Sequence, residues 1–303
     1  MKYDVILIRY GELALKSTYV RRLFESILVR NIKVALNTEG ISNEIQTERG
    51  RIYLITRDMR KTIDVLSRMF GIVSFSPAVQ TSSTLQDISR AAQQVVKNSL
   101  TSQKSFALRV TRVGNHPYTS QDVAVHIGND IVNATHAKVN LTNPDVELFI
   151  EIRDENSFLF TEKIHGVRGL PLGTQGRVLV LVEAPSSLLA AWYLMSRGCN
   201  VVILTTQQVN EQAIRAFLSY WYADAATLSV NPTKEAFNHQ LNMVASEKKC
   251  DALVTGYTLE KTARTLSDIM LLKRTASLPV LCPLIALTEE DIAIQCKKRG
   301  ILV

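Results

Sequence analysis

At 303 residues the chain is long for one compact core and suits two or three domains. Its 46% hydrophobic and 21% charged content is that of a folded globular protein, and no apolar run nears the roughly 20 residues that cross a bilayer, which excludes a disordered chain and a helical membrane protein. The formal charge of +7 is uneven, with 13 Lys/Arg against 8 Asp/Glu in residues 1–75, 9 against 9 in 76–176 and 13 against 11 in 177–303, so the basic excess sits near the N-terminus.

The opening "MKYDVILIRYGE" has a short apolar stretch closely followed by Arg9 and Glu12, unlike a signal peptide, so the expected location is the cytoplasm. "YDVILIR" reads as a strand. Over 19–36 a helix places Val20, Leu23, Phe24, Ile27, Leu28, Ile32 and Leu36 on one stripe. "SNEIQTE" and "RIYLIT" flank a turn at Arg49-Gly50, where glycine suits a positive φ. A helix over "RKTIDVLSRMF" and a strand over "GIVSFSPAVQ" complete a βαββαβ order, the ferredoxin-like arrangement, for residues 1–75.

Residues 76–165 predict a second module. A helix over 84–98 turns Leu85, Ile88, Ala92 and Val95 or Val96 inward, and the strand "SFALRVTR" follows. The helix "SQDVAVHIGNDIVNAT" is capped by Thr119 or Ser120, and the strands "DVELFIEIR" and "SFLFTEKI" close the unit. Asp145, Glu147, Glu151, Asp154 and Glu155 space like the solvent face of an edge strand and its turn. Glycine-rich residues 166–176 read as an interdomain linker.

From 177 to 303 strands and helices alternate. Strand 177–182, helix 187–197, strand "NVVILT", helices 208–222 and 233–248, strand "CDALVTG", helix 259–273, strand "LPVLCPL" and helix 288–299 predict a parallel sheet wrapped on both faces. Ligands of such sheets sit at the carboxyl ends of the strands, where residues 182–187 and "TGYTLEK" fall. Cys199, Cys250, Cys282 and Cys296 form no C-x-x-C pair, and the five histidines show no metal-ligand spacing, so no metal site is expected. Trp192, Tyr193, Trp221 and Tyr222 read as packing residues of helices.

Several stretches in order resemble the ThiI family, the tRNA sulfurtransferases that make 4-thiouridine and serve thiamine biosynthesis in some organisms. They are "RYGELALKS…R…FE" from Arg9, "FALRVTRVGNHPYTSQDVAVHIGNDI", "RGLPLGTQGRVLVLV" and "ALVTGYTL…LPVLCPLIALTEEDI". The resemblance implies an N-terminal ferredoxin-like domain, a THUMP RNA-binding domain and a Rossmann-like C-terminal domain of the adenine-nucleotide-hydrolase (PP-loop) type. It also implies ATP and Mg²⁺ as cofactors, tRNA as partner, a cysteine persulfide as sulfur carrier, and a homodimer.

The chain departs from the family's S-G-G-x-D-S loop, in which glycines and a helix N-terminus receive phosphate. Aligned on Ser187, it has Val182, Glu183, Ala184, Pro185 and Ser186 in the other five positions. A carboxylate about 4 Å from phosphate repels by roughly 4 kcal/mol at an effective dielectric near 20. That is on the order of a thousandfold in affinity. Ala184 adds a Cβ, and Pro185 has no N–H. In the second loop Thr255-Gly256 keeps the family's T-G, while Tyr257 to Thr265 loses its acid, second glycine and glutamine. The family's carrier cysteine would lie about where this sequence ends, and Cys296 reads as a helix cysteine. The expectation is weak or lost ATP and Mg²⁺ binding and no retained cofactor.

RNA contacts are expected from Arg9, Lys16, Arg21, Arg49 and Arg51 in the first module. In the second they are expected from Arg109 and Arg112, which have no acid nearby in sequence, with His116 and Tyr118. Arg168 and Arg177 bracket the linker within reach of RNA. The leading reading is a tRNA-binding protein supporting thiolation or another RNA role, with a separate catalytic or sulfur-carrier protein. The alternatives are an active sulfurtransferase fed by an external sulfur carrier, and a thiamine-pathway or nucleotide-binding protein.

Overall fold

The computed structural model describes residues 3–11, 17–48, 50–206, 210–230, 237–260 and 266–301. The chain divides into two compact units, residues 1–9, 36–64 and 74–165, and residues 10–35, 65–73 and 166–303.

The first unit is built on a sheet of nine strands among the described residues. In chain order these are β1 (Val5–Tyr10), β2 (Asn43–Glu48), β3 (Arg51–Thr56), β4 (Ile72–Ser82), β5 (Ser105–Val113), β6 (Lys138–Val139), β7 (Val146–Arg153), β8 (Asn156–Phe160) and β9 (Ile164–His165). The order is β2-β3-β1-β4-β8-β7-β5-β6, with β9 on β4. Its first four strands have the ferredoxin-like order. The helices intercalated in sequence are α1 (Thr18–Thr38), α2 (Met59–Leu66), α3 (Leu85–Val96) and α4 (Ser120–Thr135). Along α1 the residues Phe24, Leu28, Ile32 and Leu36 are buried, whereas Leu23 is exposed and lies off the stripe.

One sheet face packs under α3 and α4. Ile88, Ala92, Val95 and Val96 of α3 and Val123, Ile127 and Ile131 of α4 meet Leu148, Ile150 and Ile152 of β7 and Leu159 of β8. Each of the Val, Leu and Ile side chains among them contributes roughly 1.5–3 kcal/mol on leaving water. Thr119 caps α4 in a reciprocal box with Asp122, and Thr84 caps α3 through the Asp87 N–H. The acidic run is not on an edge strand: β7 pairs with β5 in parallel and β8 in antiparallel, so it is an interior strand and Glu151 is buried.

The second unit carries a five-stranded, wholly parallel sheet among the described residues: β10 (Arg177–Val182), β11 (Asn200–Thr206), β12 (Thr227–Val230), β13 (Ala252–Thr255) and β14 (Val280–Leu281). The order is β12-β11-β10-β13-β14. The strand β12 was not among the expected elements, because "TLSV" is short and half polar. The helices are α5 (Ser187–Ser196), α6 (Glu211–Tyr220), α7 (Phe237–Glu247), α8 (Leu266–Thr275) and α9 (Glu289–Lys298). The described part of α8 begins seven residues later than the expected 259. Central β10 is apolar from Val178 to Val182 because both faces are covered there. Val178, Val180 and Val182 join one core, Leu179 and Leu181 the other.

The glycine-rich segment 166–176 is tied to its own unit by backbone hydrogen bonds. Arg168 N–H donates to Ile72 O at 2.8 Å, Leu170 N–H to Ser196 O at 3.0 Å, and the N–H groups of Gly173, Thr174 and Gln175 all donate to Gly198 O. At Gly169 the φ of +73° and a virtual Cβ 2.0 Å from Ser196 O leave room for glycine alone. Among the described residues no helix is long and apolar enough to cross a membrane.

Candidate functional site

The sheet order places the nucleotide-loop candidates. Strand order reverses beside β10, so the carboxyl ends of β10 and β13 flank the crevice where parallel sheets bind ligands. Val182 to Ser187 and Thr255-Gly256 stand there together, as their spacing predicts. Ser187 N–H donates to Ala184 O at 2.9 Å, Leu188 N–H to Pro185 O at 3.0 Å and Leu189 N–H to Ser186 O at 3.0 Å. The first turn of α5 thus closes as a 3₁₀ turn, and its donors bond the loop's own carbonyls. Ser186 is itself helical at φ −60° and makes no side-chain cap. A Cβ on Gly256 would lie 2.7 Å from Ser187 Oγ and 2.8 Å from Ser187 Cα, so the two loops touch backbone to backbone. Thr255 is buried and its hydroxyl faces Cys282 Sγ at 3.4 Å. Among the described residues no group of three or more His, Cys, Asp or Glu is arranged to hold a metal.

The basic candidates divide into separate groups. In the first unit, Arg9 donates Nε and Nη2 to Glu151 Oε1 at 3.0 and 2.7 Å and Nη1 to Ser76 Oγ at 3.0 Å, and its guanidinium stacks 4.7 Å over Phe160. Arg51 donates Nε to Glu151 Oε2 at 3.1 Å and Nη1 to the Gly50 carbonyl. Arg153 Nε lies 3.6 Å from the same Oε2. Burial pushes the Glu151 carboxyl up, but Arg9 and Arg51 outweigh it and hold the group below its ordinary range. Burial lowers the Arg9 pKa, which Glu151 opposes. Lys163, whose ammonium sits 3.8 Å over Phe149, is lowered by burial and by the nearby Arg9. Burial lifts the Tyr53 phenol beside this cluster to about 12.

Arg109 does have an acid: its Nε donates to Glu147 Oε1 at 2.8 Å and its Nη2 to Leu141 O. The two residues are 38 apart in sequence, and the parallel β5–β7 register, with Ala107 opposite Glu147, brings them to one face. Arg112, near the end of β5, gathers with His116 and Tyr118 just beyond it. Arg112 Nη1 reaches Gly114 O at 3.1 Å and His116 Nδ1 at 3.3 Å, His116 Nε2 meets Asp154 O at 2.8 Å, and the His116 and Tyr118 rings stack at 5.4 Å. Tyr118 donates its hydroxyl to Ser83 O, and burial raises its pKa. Arg21 lies in α1, in the second unit, and is half-buried. Lys16 and Arg49 fall outside the described residues.

Family models match the chain in three parts: a ThiI ferredoxin-like domain over residues 5–76, a THUMP domain over 82–162 and a thiamine biosynthesis protein (ThiI) over 223–301. The "Probable tRNA sulfurtransferase" of Methanobrevibacter smithii is 34% identical over 96% of this chain and 85% of its own length. The chain belongs to the tRNA sulfurtransferase family. A tRNA sulfurtransferase of Pyrobaculum aerophilum is 32% identical over 98% of this chain and 67% of its own. Among solved structures, PH1313 from Pyrococcus horikoshii superposes with a TM-score of 0.84 at 30% identity, covering 98% of this chain and 99% of that one. A 4-thiouridine synthetase solved with RNA and bound ATP superposes with the same TM-score at 23% identity, covering 99% and 86%, and shows the shared fold. The ferredoxin-like, THUMP and Rossmann-like architecture of the tRNA sulfurtransferases is therefore present, and the match to their ThiI model begins downstream of residues 182–187.

The residues that sequence reasoning missed are Glu151, Arg153 and Lys163. Only the strand alternation that sets Glu147, Phe149, Glu151 and Arg153 on one side of β7 hinted at the first two, and no signal pointed to Lys163. Trp192 and Trp221 are core residues with Phe70, as expected of packing aromatics. Cys296 is fully buried and burial raises its thiol pKa, the opposite of what a sulfur carrier needs.

Proposed function

We propose that this chain is a tRNA-binding member of the tRNA sulfurtransferase family whose nucleotide loop no longer holds ATP. In this reading residues 1–75 and 76–165 hold the RNA, and residues 177–303 keep the fold of the adenylating domain without its phosphate cradle. The protein acts as a homodimer in the cytoplasm and supports tRNA thiolation or another RNA role beside a separate catalytic or sulfur-carrying protein. The observation that carries it is the loop at 182–189. The α5 amides that would receive phosphate are bonded to the carbonyls of Ala184, Pro185 and Ser186, and Glu183 adds a carboxylate. Loss of the loop leaves the RNA-binding architecture untouched, and the related fold solved with RNA and ATP supports tRNA as the partner.

Calorimetric titration of ATP and Mg²⁺ into the purified protein, with and without tRNA, tests the reading. The expected result is tRNA binding at low salt with no ATP binding below the millimolar range. Micromolar ATP affinity overturns the loss of the loop and favours an active enzyme fed by an external sulfur carrier. Absence of tRNA binding at low salt overturns the RNA role.

A further inference from the structure

Four cations crowd one buried carboxylate in the first unit. Arg9 bonds one Glu151 oxygen through two nitrogens, Arg51 bonds the other at 3.1 Å, Arg153 lies 3.6 Å from it, and Lys163 sits over Phe149 within the same field. The Glu151 side chain is 9% exposed and those of Arg9 and Arg153 are 12% and 11%. Glu151 balances part of this charge and Glu147, paired with Arg109, also acts on Lys163, and an anion beside Arg51 and Lys163 is electrostatically favoured. Glu151 consumes only part of the donor capacity. Arg51 uses Nε on Glu151 and Nη1 on Gly50 O, its side chain is 25% exposed, and Lys163 is exposed. A guanidinium fixed on one edge presents its other edge in a set direction.

We infer that Glu151 is the positioning residue of a phosphate-binding site, in which Arg51 and Lys163 grip a phosphodiester of an RNA strand while Arg9 and Arg153 supply the surrounding field. The inference rests on the RNA-binding reading above. It makes a prediction opposite to simple charge counting. Removing an acid from a surface that binds a polyanion should tighten binding, whereas here Glu151→Gln releases the arginines and weakens it.

Filter binding of tRNA and of poly(U) across a salt series reads this out for the wild type, Glu151→Gln, Glu151→Asp and Arg51→Met. The expected result for Glu151→Gln is about tenfold weaker binding and a log-log salt slope shallower by roughly 0.7–0.9, the value of one phosphate contact. Glu151→Asp restores most of the affinity, and Arg51→Met flattens the slope by the same amount. A folded Glu151→Gln protein that binds equally or more tightly with an unchanged slope overturns the inference. Should Glu151→Gln fail to fold, Arg51→Met and Lys163→Met decide it, and an unchanged slope in both overturns it. A wild-type chain that ignores tRNA but binds poly(U) in this Glu151-dependent way loses the tRNA reading and keeps the phosphate site.

Discussion

Glu151 shows how much one side chain organises, since it joins β7 to arginines of β1 and β3, which lie 142 and 100 residues away in sequence. Leaving those guanidiniums half-buried without their carboxylate costs about 3 kcal/mol, the lower end of what breaking a buried pair costs, because Arg51 keeps some solvent. Chemical denaturation of Glu151→Gln should show that loss at pH 7. The carboxyl's pKa is lowered from 4.5 in the folded state, so the unfolded chain binds more protons between the two values. Its stabilisation is complete above the unfolded value of 4.5 and is lost as pH falls through the lower folded value. The difference between wild type and Glu151→Gln should therefore shrink in acid, and a pH series of denaturation midpoints that stays parallel below pH 4.5 would contradict it. None of this is legible in the sequence. The acidic run suggested an edge strand because alternation fixes which residues share a face but not what lies across from them.

The α5 N-terminus carries the functional argument at the level of elements. Pattern alone identified β10, the turn and α5, because a doubly covered central strand gives the unbroken apolar run Val178 to Val182 and an apolar helix follows it. Restoring the phosphate loop tests whether the scaffold alone is competent. The variant combining Val182→Ser, Glu183→Gly, Ala184→Gly and Ser186→Asp removes the Glu183 carboxylate and two Cβ atoms and frees the backbone to approach an anion. Removing Glu183 alone should gain on the order of a thousandfold in ATP affinity at most, by the roughly 4 kcal/mol of repulsion it relieves. Calorimetry should find tighter ATP binding in the fourfold variant than in the wild type. No gain would mean that the contact between Gly256 and Ser187 has closed the crevice by itself. The Thr119 cap was equally readable, since capping chemistry is local, whereas β12 was not, because four residues of "TLSV" form a strand only when β11 is there to pair with them.

For the whole molecule, the charge pattern along the sequence located the basic module but not its exposed donors. Several of the arginines that make up the +5 excess of residues 1–75 are committed: Arg9 and Arg51 to Glu151, and Arg68 to Tyr222 at 2.8 Å in the second unit. The RNA contacts proposed for the second module are testable together. Arg109→Ala with Arg112→Ala should weaken tRNA binding in gel shifts by about tenfold or more and lower the salt slope by roughly one to two. Arg109 contributes less than Arg112, because truncating it also unmasks the Glu147 carboxylate it now pairs with. Equal affinity for the double variant and the wild type would remove these two residues from the interface.

The sequence by itself determined the main elements other than β12, their order and the family, because periodicity, caps and glycine turns act over a few residues, and because motif order survives where single positions change. It also set the residues at 182–187 apart from the family's S-G-G-x-D-S loop, since glycine, carboxylate and proline act through their own backbone and charge. The tertiary structure alone decided which charges are paired. Strand register brought Glu147 to Arg109, and the sheet order brought Glu151 to Arg9, Arg51 and Arg153. Coulombic and hydrogen-bond partners are set by distance in space, and the pairing of strands far apart in the chain fixes that distance.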